Sequence, residues 1–309
     1  MKCPICSHTT WKNLFPSIDR LYHFPGLFHT IRCNRCGLWS LDPFLKERAV
    51  RTYYPKTYYA YQKNTKPGIF WRLRSYMIKT SSSMKPIHRL LRFIIKVPAL
   101  PSFVKHGKIL DIGCGTGDTL VLFKHIGWDV YGLDIDRFAI QTACERGLNK
   151  VKFGSYKTMD FYPDNYFDAL RLYHVIEHLD NPDALLTLAH QKLKKGGELI
   201  IGTPNVRSFA AKVFKQYWYN LDCPRHLYIF SPKHLIVLLK KSGFTNINIS
   251  FSSAGGILGS IQYFLHDKLR MNIDLINRPM LLFLLYPFER VLDTLGVGDV
   301  FVISANKSI

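Results

Sequence analysis

The sequence has few acidic residues and no long apolar run. The first indicates an anionic partner, and the second disfavours a membrane-spanning protein. The chain has 22 Asp and Glu against 42 Lys and Arg, giving a formal net charge of +20. No apolar run approaches the ~20 residues of a membrane-spanning helix, and the amino terminus lacks the apolar segment of a secretory signal. We therefore expect a cytoplasmic protein, or one bound peripherally to the membrane's cytoplasmic face, with an anionic partner.

Cysteine is also scarce, at seven in 309 residues, but four of the seven are regularly spaced. Cys3 and Cys6 form one C-x-x-C pair, and Cys33 and Cys36 form a second. Two such pairs bring four thiolates together in the tetrahedral arrangement that zinc prefers. Because four thiolates leave no position for a catalytic water, the pattern predicts a structural zinc in a small ribbon over residues 1–42.

A glycine-rich turn after an apolar strand is the most informative feature of the chain. The strand I-L-D ends at Asp111. Three glycines follow at alternate positions, namely Gly113, Gly115 and Gly117. Glycine suits a turn that a ligand approaches closely, because no Cβ blocks the backbone. The next apolar strand ends at Asp134, where an acidic side chain is placed to bind ribose hydroxyls.

Strand and helix patterns alternate from about residue 107 to residue 304, which predicts a doubly wound parallel α/β sheet. An apolar segment over about residues 254–297 separates the last two strands. It is much longer than an ordinary connection between strands, so we expect a helical insertion. Three interpretations of it stay open: a lid over an acceptor pocket, a contact with lipid, or additional core along the sheet edge.

The D-x-G-x-G-x-G turn and the order of elements resemble the class I methyltransferases that depend on S-adenosylmethionine (SAM). The run H-V-I-E-H-L-D-N-P from His174 to Pro182, and T-P-N at residues 203–205, resemble later motifs of ubiquinone-pathway O-methyltransferases. The resemblance implies a Rossmann-like methyltransferase domain over residues 106–309, which uses SAM as its cofactor.

The same resemblance implies a cofactor site. Asp111 and the glycine turn would hold the amino-acid part of SAM, and Asp134 would hold the ribose. Ser155 and Tyr156 would lie beside the adenine, and Tyr173 and His174 beneath the methyl group. The full set of predicted cofactor residues is Asp111, Gly113, Gly115, Gly117, Asp134, Ser155, Tyr156 and Tyr173.

Two histidines are candidate general bases for removing a proton from the acceptor. His226 follows the fifth strand, at the sheet edge where acceptors bind, and histidine titrates near neutral pH. Its alternative role is structural, as a helix cap or packing residue. His174 is the second candidate. The four-cysteine module with this core also resembles deoxysugar C-methyltransferases, whose proposed base lies in a Tyr-x-Glu-His run. Here Pro224-Arg225-His226 keeps the histidine but not the glutamate, which disfavours carbon methylation.

The segment between the two modules, residues 43–105, is predicted to be a basic, aromatic connector. From Lys46 to Lys108 it holds 15 Lys and Arg and a single acid, Glu47. Over residues 85–97 the cations fall on one face of a predicted helix and the aliphatic residues on the other. This pattern fits a membrane surface, a helix packed on the catalytic domain, or contact with a phosphate backbone.

These observations predict a SAM-dependent methyltransferase that acts at the membrane surface on a small or lipid-linked acceptor, such as a glycolipid or polysaccharide sugar or a quinone-like ring. The alternative is an RNA methyltransferase whose zinc ribbon and basic connector bind the phosphate backbone. Against the alternative, the fourth strand is not followed by an N-P-P-Y or D-P-P-Y motif.

Overall fold

The computed structural model describes residues 1–55, 58, 76, 100–253 and 255–308. The strands of this part are β1 Trp11–Ser17, β2 Phe28–Cys33, β3 Trp39–Asp42, β4 Lys108–Ile112, β5 Asp129–Asp134, β6 Val151–Phe153, β7 Phe167–Tyr173, β8 Leu193–Pro204, β9 Tyr228–Ile229, β10 Phe244–Phe251 and β11 Val300–Lys307. The α-helices are α1 Glu47–Val50, α2 Asp118–Ile126, α3 Arg137–Glu145, α4 Pro182–Lys192, α5 Phe209–Phe214, α6 Pro232–Lys241, α7 Gly256–Leu269 and α8 Pro279–Thr294.

The larger sheet has seven strands in the order β10-β11-β8-β7-β4-β5-β6. The five strands from β8 to β6 run parallel, and β11 is antiparallel to both of its neighbours. This arrangement confirms the predicted doubly wound methyltransferase sheet. Its central parallel strands β4 and β7 are largely buried and rich in Ile and Leu, as strands covered on both faces require.

Two helices of the catalytic domain, α4 and α6, begin at capping residues that the sequence supplies. Asn181 caps α4 by accepting a hydrogen bond from Ala184 N, and Pro182 occupies the first turn. Ser231 and His234 form a reciprocal capping box at the start of α6. These caps fix the residue at which each helix begins.

The smaller sheet joins the amino-terminal module to the methyltransferase domain. Its order is β1-β2-β3-β9, and all neighbours are antiparallel. The fourth strand, β9, comes from the later part of the chain, so that Trp39 pairs with Ile229 and Ser40 with Tyr228. The predicted boundaries at residues 42 and 105 stay a prediction, but the module shares a sheet with the domain it precedes.

The insertion before the last strand is helical, as predicted, and consists of α7 and α8. Helix α7 packs on the loop that carries the candidate base. Tyr219 donates its backbone N–H to Ser260 Oγ at 3.0 Å, and its ring lies where a Cβ on Gly259 would be. Among the helices of the described residues, none is both long and apolar enough to cross a membrane. The helix predicted over residues 85–97 lies outside the described residues.

Candidate active site

A cavity of about 310 Å³ opens at the carboxyl ends of β4, β5 and β7. This is the edge at which ligands bind in open α/β sheets. Six of the predicted site residues line it: Asp111, Gly113, Gly115, Asp134, Tyr173 and His174. The structure therefore brings the strand-end acids, the glycine turn and one candidate base to a single place.

The turn at the cavity requires glycine for its left-handed backbone and for its close packing. Gly113 has φ +74° and Gly117 has φ +81°, values that favour glycine. A Cβ on Gly113 would clash with Val175, and one on Gly117 would clash with Leu148. Gly117 itself does not line the cavity but starts helix α2. Glycine is thus required here by both conformation and space.

Two carboxylates flank the turn, and each is held by a different device. Asp111 is buried and accepts two hydrogen bonds from Arg171, at 2.9 and 3.0 Å. Burial raises the pKa of Asp111, and the Arg171 charge opposes that shift. Asp134 accepts backbone N–H bonds from Gly115 at 2.8 Å and Asp136 at 2.9 Å. Burial raises the pKa of Asp134 to about 6, against the effect of those bonds.

His174 lines the cavity in a form suited to a general base. It has φ +56°, a left-handed conformation that is uncommon outside glycine and clusters at functional sites. Its Nδ1 donates to Glu177 Oε1 at 3.0 Å, which leaves Nε2 to accept a proton. Burial raises the pKa of Glu177, but the His174 hydrogen bond and nearby imidazoles lower it to about 2. Glu177 is therefore ionised at neutral pH.

His226, the other candidate base, does not line the cavity and is almost fully buried. Its Nδ1 donates to Asn220 O at 2.9 Å, and its Nε2 lies 3.9 Å from Glu177 Oε1 and 3.8 Å from Asp222 Oδ2. Burial and the neighbouring His178 lower the pKa of His226 to about 4, so it is neutral at pH 7. His226 is therefore close to Glu177 but outside the cavity lining.

A buried ion network ties the His226 loop to the amino-terminal module. Arg225 is fully buried and donates to both carboxylate oxygens of Asp19 at 2.8 Å. It also donates to Asp222, with a shortest distance of 2.6 Å. Because an isolated buried charge is costly, these two carboxylates are what keep the guanidinium inside the protein. Asp19 and Arg225 are 206 positions apart, and the spacing of motifs gives no sign of their pairing.

The start of the predicted connector supplies cavity residues that sequence reasoning missed. Arg51, Tyr54 and Tyr58 line the cavity, as does His178 from the H-V-I-E-H run. Tyr54 Oη lies 2.8 Å from His178 Nδ1, within hydrogen-bond distance. The aromatic run Y-Y-P-K-T-Y-Y was the available signal, because an amphipathic aromatic beside a ligand site often forms its wall.

The two residues predicted beside the adenine are not part of the cavity lining. Ser155 caps a short 3-10 helix by accepting from Lys157 N, and Tyr156 is buried at the start of that helix. Tyr173, predicted beneath the methyl group, does line the cavity, and its ring lies 5.0 Å from the Arg171 guanidinium. Within the described residues, the insertion of α7 and α8 contributes nothing to the lining.

The four predicted metal ligands come together at one end of the smaller sheet. The Sγ atoms of Cys3 and Cys36 are 3.5 Å apart, those of Cys6 and Cys33 are 3.6 Å apart, and all four lie within 4.8 Å of one another. A tetrahedral zinc with Zn–S bonds of about 2.3 Å needs sulfur atoms about 3.8 Å apart. The cluster therefore fits zinc in both its donor set and its spacing.

Comparison with known proteins places the catalytic part of the chain in a family. The model of the methyltransferase domain family matches residues 83–249, more than half of the chain. An uncharacterised protein of Methanocaldococcus jannaschii is 30% identical over 152 residues, which are 49% of this chain and 71% of that protein.

A ubiquinone biosynthesis O-methyltransferase of Cereibacter sphaeroides is 28% identical over 151 residues, 46% of this chain and 61% of that enzyme. The chain thus spans about three fifths of that relative's length. Among solved structures, phosphoethanolamine N-methyltransferase 2 of Haemonchus contortus, in complex with SAM, is similar over 88% of this chain and 63% of its own. Its identity is 18% and its TM-score 0.52, so this likeness concerns the fold.

Proposed function

Because the chain belongs to the methyltransferase domain family, as a class I SAM-dependent methyltransferase, we propose that it methylates a hydroxyl of a small or lipid-linked acceptor at the membrane surface. The acceptor class is a quinone-like ring or the sugar of a glycolipid or polysaccharide. The observation that carries the proposal is the His174–Glu177 pair in the wall of the cavity, beside the glycine turn. The ubiquinone-pathway relatives, which are O-methyltransferases, support the hydroxyl.

The residues around the cavity fit SAM. Gly113 and Gly115 of the glycine turn line the cavity, and Asp134, which ends the neighbouring strand, lines it as well. Asp111 and Arg171 form a buried ion pair in the cavity wall. The amino-acid part of SAM would bind beside this pair. When bound, SAM supplies a methyl group that is already activated, so the chain mainly has to position the acceptor and exclude water.

The proton of the acceptor hydroxyl would pass to His174 Nε2. Glu177 fixes the tautomer that leaves this nitrogen free to accept it and, being ionised, stabilises the imidazolium that forms. Thr203 Oγ1 donates to the other oxygen of Glu177 at 2.9 Å and so holds the carboxylate in place. His226, 3.9 Å from the same carboxylate, acts on the base through Glu177 rather than on the acceptor.

The zinc proposed for the four-cysteine cluster has a structural role at this site. It would fix the end of the smaller sheet, whose fourth strand β9 directly follows His226. Cys36 O lies 3.0 Å from His234 Nε2, so one ligand of the cluster also contacts the cap of α6. The module thereby supports the part of the cavity wall that we assign to the acceptor, formed by Tyr54, His174 and His178 and called the acceptor side below.

A label-transfer experiment tests the proposal. The purified protein would be incubated with methyl-labelled SAM and an extract of its own cells, and lipid, small-molecule, RNA and protein fractions would be separated. Label in the lipid or small-molecule fraction, stable to alkali as an ether is, would support it. Label in RNA that ribonuclease releases would establish the RNA alternative. His174→Gln is the matched control, expected to bind SAM but to transfer about a hundredfold less label.

A further inference from the structure

Helix α8 carries a stripe of exposed apolar side chains along its whole length. Phe283 is 78% exposed, Met280 71%, Leu295 69% and Leu284 64%, and Val291 and Phe288 are also exposed. These side chains recur at intervals of three and four residues, which is one face of a helix. The opposite face is the one that packs on the protein, through Glu289, Leu292 and Asp293. Helix α8 is therefore apolar on the side that its own fold leaves uncovered.

The apolar stripe continues onto a neighbouring helix. Phe209 and Val213 of α5 are exposed, and the Phe209 ring meets the Phe288 ring edge-on at 5.9 Å between centroids. A contiguous apolar surface of two helices is larger than the scattered exposed residues of ordinary protein surfaces. Such surfaces mark contacts with other molecules or with membranes.

Cations surround one end of this surface. Lys268, Arg270 and Arg278 are exposed around the connection between α7 and α8. Leu269 and Met271, also exposed, alternate with the first two of them. In the described part of the insertion, residues 256–297, Asp274 is the single exposed acid. Its carboxylate accepts hydrogen bonds from Asn277, and its pKa is lowered by those bonds and by Arg278.

We propose that the exposed face of α8, with Phe209 and Val213, lies in the headgroup region of an anionic lipid bilayer. A helix with one apolar face, aromatic and long aliphatic side chains and flanking cations is the pattern of interfacial binding. The charge selects this occupant over a second copy of the chain. Each copy carries +20, which opposes self-association, whereas anionic headgroups neutralise it.

This placement deepens the proposed function, on which it rests, because it names the surface of the enzyme that would contact the lipid. Helix α7, joined to α8 by the cationic connection, packs on the loop that precedes His226: Tyr217 meets Phe264 edge-on at 5.5 Å, and Tyr219 bonds to Ser260. A lipid-linked acceptor would then be held at the same surface as the enzyme.

Vesicle binding tests the inference. The full-length protein would be sedimented with phosphatidylcholine vesicles with and without phosphatidylglycerol, alongside Phe283→Ser/Leu284→Ser and Arg270→Ser/Arg278→Ser variants. We expect affinity for the anionic vesicles to fall roughly tenfold for each large apolar side chain removed, and several-fold for the cation pair. Phe161→Ser is the matched control, because Phe161 is 81% exposed but lies outside the surface. It should bind as the parent does.

A local readout separates α8 from the basic connector, for which contact with a membrane surface is one of the three open interpretations. Hydrogen exchange of the α8 backbone should slow when anionic vesicles are added to the parent protein. Unchanged exchange in α8 while the protein sediments with vesicles would overturn the inference, as would a dimer in light scattering that the Phe283→Ser/Leu284→Ser variant abolishes. SAM affinity, measured by calorimetry, should not change in either variant. Label found in RNA would refute the proposed function whatever the vesicles show.

Discussion

The two sides of the cavity are built in different ways. On the cofactor side, the turn and its acids come from neighbouring strands, β4 and β5, within 24 residues of sequence from Asp111 to Asp134. On the proposed acceptor side, Tyr54 meets His178 across 124 positions. Arg225, whose carbonyl oxygen lies 2.9 Å from His178 Nδ1, pairs with Asp19 across 206 positions. The first side follows from a strand–turn–helix unit that forms locally. The second forms only when the amino-terminal module and the start of the connector pack against the catalytic domain.

The difference suggests that the two sides can be damaged separately. Changes in the amino-terminal module should impair methyl transfer and leave SAM binding intact. Changes at the glycine turn should impair SAM binding itself, and methyl transfer with it. The predictions below use this separation and run from the largest expected effect to the smallest.

Removing one ligand of the proposed zinc should have the largest effect. We expect Cys36→Ser to lose the bound zinc and to unfold the small sheet, because metal binding at such sites contributes on the order of 10 kcal/mol to folding. Methyl transfer should be lost, while SAM affinity changes by less than about threefold. Metal analysis and calorimetry measure both. Cys144→Ser, an exposed cysteine outside the cluster, is the control and should keep its zinc.

Replacing the buried cation of the ion network should come next. Arg225→Met leaves the Asp19 and Asp222 carboxylates buried without their partner, which typically costs about 3–5 kcal/mol. Urea unfolding would measure the loss. The exposed pair of Lys241 and Asp183 provides the comparison, since Lys241→Met should cost less than about 1 kcal/mol. Equal effects of the two substitutions would show that the network does not hold the acceptor side.

The pH dependence of stability should distinguish the acceptor side from the insertion. Because the folded protein lowers the pKa of His226 from 6.5 to about 4, the unfolded chain binds a proton first as the pH falls. Stability present above pH 6.5 is therefore lost toward pH 4, by about 3 kcal/mol. Burial raises the pKa of Glu289 from 4.5 to about 7, so its contribution is present below pH 4.5 and is lost as the pH rises to 7.

Thermal unfolding from pH 4 to pH 8 checks both signs. His226→Gln should flatten the acid limb of the stability curve, and Glu289→Gln should flatten the limb above pH 4.5. A steep acid limb that persists in His226→Gln would assign the acid sensitivity to other groups.

The cofactor side should respond to Asp111→Ala. We expect SAM affinity to fall about a hundredfold, since the substitution removes a buried carboxylate from the cavity wall together with its two hydrogen bonds from Arg171. Calorimetry with SAM measures the change, and circular dichroism verifies the fold. Asp160→Ala is a control at an exposed position outside the cavity lining and should bind SAM as the parent does. Unchanged affinity in Asp111→Ala would contradict the cofactor assignment.

Much of the catalytic domain was predictable because its signals are local or periodic. Alternating strand and helix patterns predicted the parallel sheet that the structure has. The three closely spaced glycines predicted the turn at the cavity, where all three have positive φ. The choice between the two histidines was not predictable. His226 follows a strand at the expected edge, as does His174, but only packing buries the one and leaves the other in the cavity wall.

By itself, the sequence determined the doubly wound sheet, the turn with its two acids, and the clustering of Cys3, Cys6, Cys33 and Cys36. Each of these depends on spacing over a few residues or on a repeating apolar pattern. Only the tertiary structure decided that β9 completes the sheet of the amino-terminal module, that Arg225 pairs with Asp19, and that the insertion leaves an apolar helix face uncovered. These features depend on which distant segments meet, and burial and charge pairing between such segments are settled only when the whole chain packs.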